Sequence, residues 1–318
     1  MILFCGIASE PPLALGIEAA RRRGIKHLVF HQRESHFCDI ALDHEDGRLT
    51  GYLWAQEREW PLENFTGVYS RLIESEALPE NRQRRCTPLD PWRVARSAFL
   101  HQVLADWIEL AECRVVNRAG AMSSNTSKPY QTQLISRFFR TPPTLVTNEP
   151  DEALEFIRLH GRVIYKSISS VRSIVREWST KDERNLNKIR TLPTQFQCFV
   201  SGTNIRVHVV GSTIFATEIS SPAVDYRYAQ RDGLGVEMRP VELPPEVCRK
   251  CYDLASMLRL PFCGIDLKRT EQGAYYCFEV NPSPAYSYYQ DQTGQQIADA
   301  LVGYLAGITE ETHVYQSG

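Results

Sequence analysis

No run in this sequence reaches the roughly 20 apolar residues that a membrane span requires, and no segment is repeated or low in complexity. The opening residues, MILFCGIASEPPLALG, start apolar but lack a basic flank and a sustained apolar core, so no secretory signal is expected. Neither sign of charge dominates: 36 Lys and Arg stand against 38 Asp and Glu, a formal net charge of −2. No global field therefore pulls the chain onto nucleic acid or an anionic membrane, and neither is expected as a partner. The turn after the first strand, GIASEPPLALG, has no G-x-G-x-x-G, which removes the dinucleotide fingerprint and disfavours a nicotinamide oxidoreductase. Cysteine is present but forms no framework. Nine are scattered, an odd number, and Cys5, Cys198 and Cys277 sit in apolar contexts, the pattern of reduced, buried thiols in a cytoplasmic protein. The single C-x-x-C, Cys248 and Cys251, lies in the helical run PPEVCRKCYDLASMLRL with no second pair, which disfavours a metal or redox role. No Ser/His/Asp or Cys/His arrangement for nucleophilic catalysis is recognisable.

What is present is an ordinary globular composition, 43% hydrophobic and 23% charged, in a chain of 318 residues, which suits two or three packed units. A strand at 2–7, a helix at about 13–23 ended by Gly24 and a strand at 27–30 make a β-α-β opening of the parallel α/β kind. A short strand at 67–71, a helix at 93–110 and a strand at 115–117 complete a first domain, residues 1–118. Residues 119–195 hold the loop SSNTSKP, a helix at about 130–139, the strand TLVT, a helix ended by Gly161 and the strand RVIYK, a small α/β block able to close over a ligand. Residues 196–318 turn mainly β. QFQCFV leads in, NIRVHVV and TIFATEI flank a Gly211-Ser212 hairpin turn, and a helix at 245–258, a second hairpin and an amphipathic helix follow. The fold class is thus α/β with α+β character. The loop PENRQRRCTPLDPWR carries Arg82, Arg84, Arg85 and Arg93, and Arg71 precedes it; a solvated loop is the plainer reading, docking of an acidic substrate or peptide the sharper.

The hairpin GIDLKRTEQGAYYCFEVNPSPAYSYY carries the chemistry. With Glu271–Ala274 as its loop, Thr270 faces Tyr275 and Asp266 faces Glu279. Strand alternation then puts Asp266, Glu279 and Asn281 on one side, with Cys277, and Ile265, Leu267, Tyr276, Phe278 and Val280 on the other. Two carboxylates about 5 Å apart repel by roughly 3 kcal/mol at an effective dielectric near 20. A shared proton, a neighbouring Lys or Arg, or a divalent cation would offset that; a merely solvated polar face is the bland alternative. Carboxylate and amide oxygens are hard ligands suited to Mg²⁺, which fills its remaining positions with water and phosphates, so the set points to a nucleotide site.

Asp266 followed by Glu279-Val280-Asn281-Pro282, after two well-separated lysines, resembles the ATP-grasp ligase superfamily, nearest its RimK-type branch, with the ribosomal-peptide maturases as cousins. The resemblance implies an ATP-grasp fold: a pre-ATP-grasp α/β domain at 1–118, a lid subdomain at 119–195, and a C-terminal subdomain at 196–318 with the Mg²⁺ site. It implies ATP as cosubstrate and Asp266, Glu279 and Asn281 as ligands of Mg²⁺, two ions being the expectation and Mn²⁺ a substitute. Lys128 and Lys166 look like the two phosphate-binding lysines, and Gln197, Phe199 and Val200 like the segment that meets adenine. Arg206, in a strand resembling D-x-R-V-x-V-V-G, and Arg227, in VDYRY, look like cations for the phosphate or the substrate carboxylate, with Asp225 steadying Arg227. His208 reads as a strand histidine rather than a base. One departure is the run SISSVRSIVRE after Lys166, where relatives carry a glycine-rich loop; Ser167, Ser169, Ser170, Arg172 and Ser173 are its candidate phosphate donors.

The activity implied is ATP-dependent carboxylate–amine ligation through an acyl phosphate, with Arg206, Arg227 and Lys166 as catalytic cations and an amino acid or peptide as substrate. A non-catalytic ATP- or peptide-binding protein on the same fold is the alternative. The partners expected are therefore a small molecule or peptide, with an acidic one favoured by the arginine loop, and a second copy of the chain in a homo-oligomer such as a dimer. Pro282–Tyr289 is expected to wall the acceptor pocket.

Overall fold

The computed structural model describes residues 1–82, 90–167, 175–221 and 235–308. The apolar runs at the start form a parallel sheet. It is built from β1 (Ile2–Gly6), β2 (His27–His31), β6 (Gly67–Ser70) and β7 (Arg114–Val116), in the order β2-β1-β6-β7. Helix α1 (Pro11–Arg22) covers one face and α2 (Pro91–Leu110) the other. A sheet that the sequence reading did not foresee lies beside it: β3 (Asp39–Glu45), β4 (Arg48–Ala55) and β5 (Arg58–Pro61), all antiparallel. Its first turn is Asp46-Gly47, with φ of 49° and 78°, an Asp-Gly pair of the kind that closes two-residue hairpins. Its second turn places Gln56 and Glu57 at φ of 54° and 62°, a conformation these residues seldom adopt and do not advertise.

Downstream come α3 (Ala119–Met122) and α4 (Lys128–Ile135), then β8 (Thr144–Thr147), α5 (Pro150–His160), β9 (Val163–Ser167), β10 (Arg176–Glu177) and β11 (Thr194–Cys198). The four strands form an antiparallel sheet in the order β10-β9-β11-β8, covered by α5 around Phe196, Val163 and Ala153. The last sheet has five antiparallel strands: β12 (Thr203–Val210), β13 (Thr213–Ser220), β14 (Glu237–Pro240), β15 (Phe262–Arg269) and β16 (Tyr275–Asn281), in the order β14-β13-β12-β15-β16. Helix α6 (Pro245–Met257) covers its apolar face, on which Ile205, Val207, Val209, Cys263, Ile265 and Val280 are all buried. Two helices close the chain, α7 (Ser287–Thr293) and α8 (Ile297–Ala306).

Packing divides the chain differently from the sequence reading in three places. Ile135 and Phe139 are buried with the five-stranded sheet, so α4 belongs with that sheet rather than with the α5-covered one. Strand β11 pairs with β8 and β9, so Gln197 sits in the smaller sheet although its number falls beyond 195. Leu301, Val302 and Leu305 of α8 pack with Ile2, Phe4 and Ile17, returning the end of the chain to the first domain. Asn117 ties these parts together: its buried amide donates to the carbonyls of Phe262 (2.6 Å) and Pro282 (2.5 Å). Among the described residues no helix is long and apolar enough to cross a membrane.

Candidate active site

Three neighbouring strands set out the site as two rows. In one, Arg206 of β12 pairs with Asp266 of β15, which pairs with Glu279 of β16. In the next, His208 pairs with Gly264, which pairs with Asn281. A period of two turns all six to the face opposite the α6 core. Gly264 is required there, because a Cβ at that position would lie 1.9 Å from Nη2 of Arg206.

The Asp266–Glu279 pairing matches the register expected, but by a different route. Arg269, not Thr270, faces Tyr275, so the loop is one residue longer. A β-bulge then compensates: the partner of Asp266 is Glu279 and that of Leu267 is Cys277, leaving Phe278 as the extra residue. The longer loop and the bulge move three side chains: Tyr276, expected in the core, lies opposite Lys268 on the Asp266 face. Cys277, expected beside the carboxylates, is buried in the core with Leu267, while Phe278, expected in the core, lines the site cavity.

Each carboxylate meets a cation of its own. Asp266 Oδ1 accepts from Nη1 of Arg206 at 2.7 Å, and the Arg206 side chain is 6% exposed. Glu279 Oε1 accepts from Lys128 Nζ, which also donates to Asn125 Oδ1 at 3.0 Å. Local sequence puts Lys128 there. Ser127 caps α4 by accepting from the Tyr130 N–H, and Gln131 grips β16, donating to the Val280 carbonyl (2.8 Å) and accepting from its N–H (3.1 Å). Lys128, one turn earlier, therefore projects beside Glu279. The repulsion between the acids is thus offset by Lys and Arg in the protein itself. Asn281 Oδ1 accepts from the Ser283 N–H at 2.9 Å, which orients it and leaves a second lone pair.

His208 is fully buried behind Arg206. Burial first, and the nearby guanidinium second, hold it well below its usual titration range, so it is neutral and unfit as a base exchanging protons with solvent. Tyr289 packs edge-on against it (4.9 Å between centroids) and lies 5.6 Å from the Arg206 guanidinium carbon.

A cavity of about 120 Å³ opens between the four- and five-stranded sheets. It brings Lys166, Gln197, Phe199 and Val200 together with Asp266 and Glu279, joining the two halves of the expected nucleotide site. Sequence reasoning missed Lys268 and Phe278, which line the same cavity. A larger open cleft of about 1340 Å³ between α2, α4 and α6 contains none of the expected phosphate cations or acids, so chemistry rather than size locates the site. Among the described residues no group of three or more His, Cys, Asp or Glu side chains converges on a metal position. Two carboxylates and an amide make a donor set that fits Mg²⁺ carrying water and phosphate oxygens, not a closed structural site.

Other expectations resolve individually. Arg71 is not available to a partner: it makes two bonds with Glu10 (2.5 and 2.7 Å) and donates to Ser283 Oγ at 2.8 Å. Burial opposes its charge, but those bonds outweigh it and raise its pKa. In the 282–289 segment Tyr286 is wholly buried and donates to the Pro12 carbonyl at 2.6 Å, an anchor rather than a pocket wall, whereas Tyr289 reaches the site. Cys251 is buried in the α6 core, and Cys248 Sγ lies against the Leu243 carbonyl. Arg227, Asp225, Ser169, Ser170, Arg172, Ser173, Arg84 and Arg85 lie outside the described residues.

Comparison with known proteins bears on this geometry. Residues 128–305 match the model of the RimK-like ATP-grasp domain. A "Probable alpha-L-glutamate ligase" of Photobacterium profundum is 24% identical over 208 residues, 62% of this chain and 68% of that protein. Its counterpart in Psychromonas ingrahamii is 27% identical over 66% of this chain and 73% of its own. The chain thus spans about two thirds of the length of these relatives. Among solved structures, an ATP-grasp ligase associated with ribosomally made peptides from Chryseobacterium gregarium, in complex with ADP and a leader and core peptide, superposes with a TM-score of 0.79. It is 20% identical, with 97% of both chains covered. The macrocyclase MdnC of Microcystis aeruginosa, bound to its precursor peptide MdnA, gives 0.77 at 18% identity, covering 97% of this chain and 100% of its own. The fold is an ATP-grasp fold.

Proposed function

We propose, from the premise that this chain belongs to the RimK-like ATP-grasp family, that it is an ATP-dependent, ADP-forming carboxylate–amine ligase. The observation that carries this is the row Lys128, Glu279, Asp266, Arg206, two acids each facing a cation beside a cavity that also holds Lys166 and Gln197. Such a row has little use in a structural protein and suits the binding of phosphates.

In the reaction proposed, an oxygen of the donor carboxylate attacks the γ-phosphorus and ADP leaves, giving an acyl phosphate. The acceptor amine then attacks the acyl carbon, loses its proton, and phosphate departs with the former carboxylate oxygen. The first step brings anions together, so positioning and charge neutralisation dominate. Lys128 and Lys166 are the proposed phosphate cations; Arg206, Lys166 and Arg227 are the proposed catalytic ones. Gln197, Phe199 and Val200 are proposed to receive the base, and Asp266, Glu279 and Asn281 to hold Mg²⁺, as two ions or with Mn²⁺ in its place. That metal supplies further neutralisation at the phosphates when bound. Arg206 is steadied by Asp266 and backed by a neutral histidine, so its charge stays directed into the site.

The substrate proposed is a peptide with acidic side chains. Support comes from likeness in fold, over 97% of the chain, to ligases solved with their peptides. Exposed Arg82 and Arg93 beside the basic loop favour an acidic partner. A cytoplasmic setting and a homo-oligomer such as a dimer complete the reading. The test is ADP release with Mg²⁺ and a panel of amino acids and glutamate- or aspartate-rich peptides, with mass spectrometry of the products. Condensation with loss of one water per ADP is expected. ATP hydrolysis without condensation, or release of AMP, would overturn the proposal.

A further inference from the structure

One row beyond the carboxylates, Lys268 of β15 lies between Asn204 and Tyr276. It is two residues from Asp266 and on the same face, about 7 Å further along the strand at the usual rise per residue. That displacement runs away from the acids and toward Phe199 and Val200. Lysines normally carry their ammonium out to water. Lys268 instead turns into the cavity, with Nζ 5.2 Å from the Phe199 ring centroid and 5.8 Å from that of Phe278. Among the described residues no carboxylate pairs with it. Glu177 is held by Arg162 in two bonds of 2.6 and 2.9 Å, and Arg162 itself stacks on Phe199 at 3.5 Å. The surrounding wall is apolar: Ile164, Val175, Val200, Ile219 and Phe278.

Across the cavity, on the four-stranded sheet, is Gln197, whose orientation is fixed by hydrogen bonding. Thr144 Oγ1 donates to the Pro142 carbonyl (2.9 Å), so toward Gln197 it can only accept, and the Gln197 amide nitrogen donates to it at 2.9 Å. The Gln197 oxygen, with the second amide hydrogen, remains for a ligand. The cavity thus offers an acceptor from Gln197 on one sheet and a donor from Lys268 on the other, with the Asn204 amide beside Lys268. Adenine presents the complement, an amino donor beside a ring-nitrogen acceptor; guanine presents a carbonyl where adenine has the amino group.

Building on the nucleotide reading of this cavity, we propose that Lys268 is a specificity residue that reads the base: its ammonium donates to a ring nitrogen of adenine, and with Gln197 it selects ATP over GTP. The cation then sits on the nucleoside half of the ligand and leaves the triphosphate to Lys128, Lys166 and Arg206.

The test is calorimetric titration of the full chain with ADP, GDP and inorganic tripolyphosphate, each with Mg²⁺, for the wild type, Lys268→Met and Lys268→Arg. Wild type is expected to favour ADP over GDP. Lys268→Met should weaken ADP about tenfold to a hundredfold, the range of a hydrogen bond to a charged donor, and narrow the ADP preference, while tripolyphosphate binds as before. Lys268→Arg, which keeps a donor, should recover part of the loss. Lys268→Gln replaces the Met variant if that one fails to fold. Equal losses for ADP and tripolyphosphate would assign Lys268 to the phosphates, and unchanged ADP binding would remove it from recognition; either overturns the inference while the nucleotide site stands. A wild type that binds neither ADP nor tripolyphosphate would overturn the site itself.

Discussion

Replacing Asp266 with Asn tests the site's electrostatics in a way the bare sequence would misjudge. Two facing acids alone would repel, and neutralising one would then leave the protein as stable or more so. The structure reverses that sign. Asp266 is a partner of Arg206, whose side chain is 6% exposed, with a neutral histidine and an aromatic ring also beside it. Removing one member of a buried, fully enclosed pair costs at most about 3–5 kcal/mol. The Asp266 side chain is 30% exposed, so water shares the load and about 1–3 kcal/mol is the proper scale. For a chain of this size that is a fall in melting temperature of roughly 2–9 °C. Thermal unfolding without nucleotide measures it, and the same scan with Mg²⁺ and ADP measures the second consequence. Wild type should gain stability from the ligand, and Asp266→Asn should gain little. An Asp266→Asn variant as stable as wild type without nucleotide would refute the Arg206 pairing. Full stabilisation of that variant by Mg²⁺ and ADP would refute the role proposed for Asp266 in holding the ion.

Three further outcomes follow from named contacts. Gly264→Ala puts a Cβ 1.9 Å from Arg206 Nη2, so the guanidinium must move; turnover should fall about a hundredfold, the usual effect of misplacing a charged group by an ångström, as a kinetic comparison would show. Gln131→Leu strips the buried N–H and carbonyl of Val280 of their partners and should cost about 2–4 kcal/mol in urea unfolding, with loss of the Lys128–Glu279 alignment. His208 is held neutral when folded and regains a pKa near 6.5 when unfolded, so its contribution is intact above about pH 6.5 and lost as pH falls toward the lowered folded value. His208→Gln should therefore reduce the acid-side slope of stability by up to about 1.4 kcal/mol per pH unit, and an unaltered slope between pH 5 and 6.5 would contradict a buried neutral ring.

Much of the site was legible because strand alternation is so regular in NIRVHVV and GIDLK. Apolar residues at 205, 207, 209, 265 and 267 declare one face, which leaves Arg206 and Asp266 on the other. What could not be read was the bulge at Phe278. A break in period two has no marker in CFEV, and the register at Asp266 survived only because a longer loop and the bulge cancel. The cations of the two acids were equally hidden, since Lys128 and Glu279 are 151 residues apart and meet only through the grip of Gln131 on β16. The Asp46-Gly47 turn carried a hairpin signal that charged flanks masked: β3 is largely exposed without alternation, and β4, although its burial alternates, turns Tyr52 and Trp54 outward so that its sequence shows no polar face. Glu218, buried between Arg239 and Arg269, joins residues from three strands and has no local signature either.

The central claim is that a carboxylate is activated by phosphoryl transfer from ATP in the cavity that Asp266 and Glu279 border. The most direct measurement uses a glutamate-rich peptide whose side-chain carboxylates carry heavy oxygen, incubated with Mg²⁺, ATP and an amine acceptor, followed by mass analysis of the phosphate. The account predicts one labelled oxygen in each phosphate released, one ADP per condensation, and loss of both in the Glu279→Gln protein. Unlabelled phosphate accompanying product, or AMP in place of ADP, would contradict it.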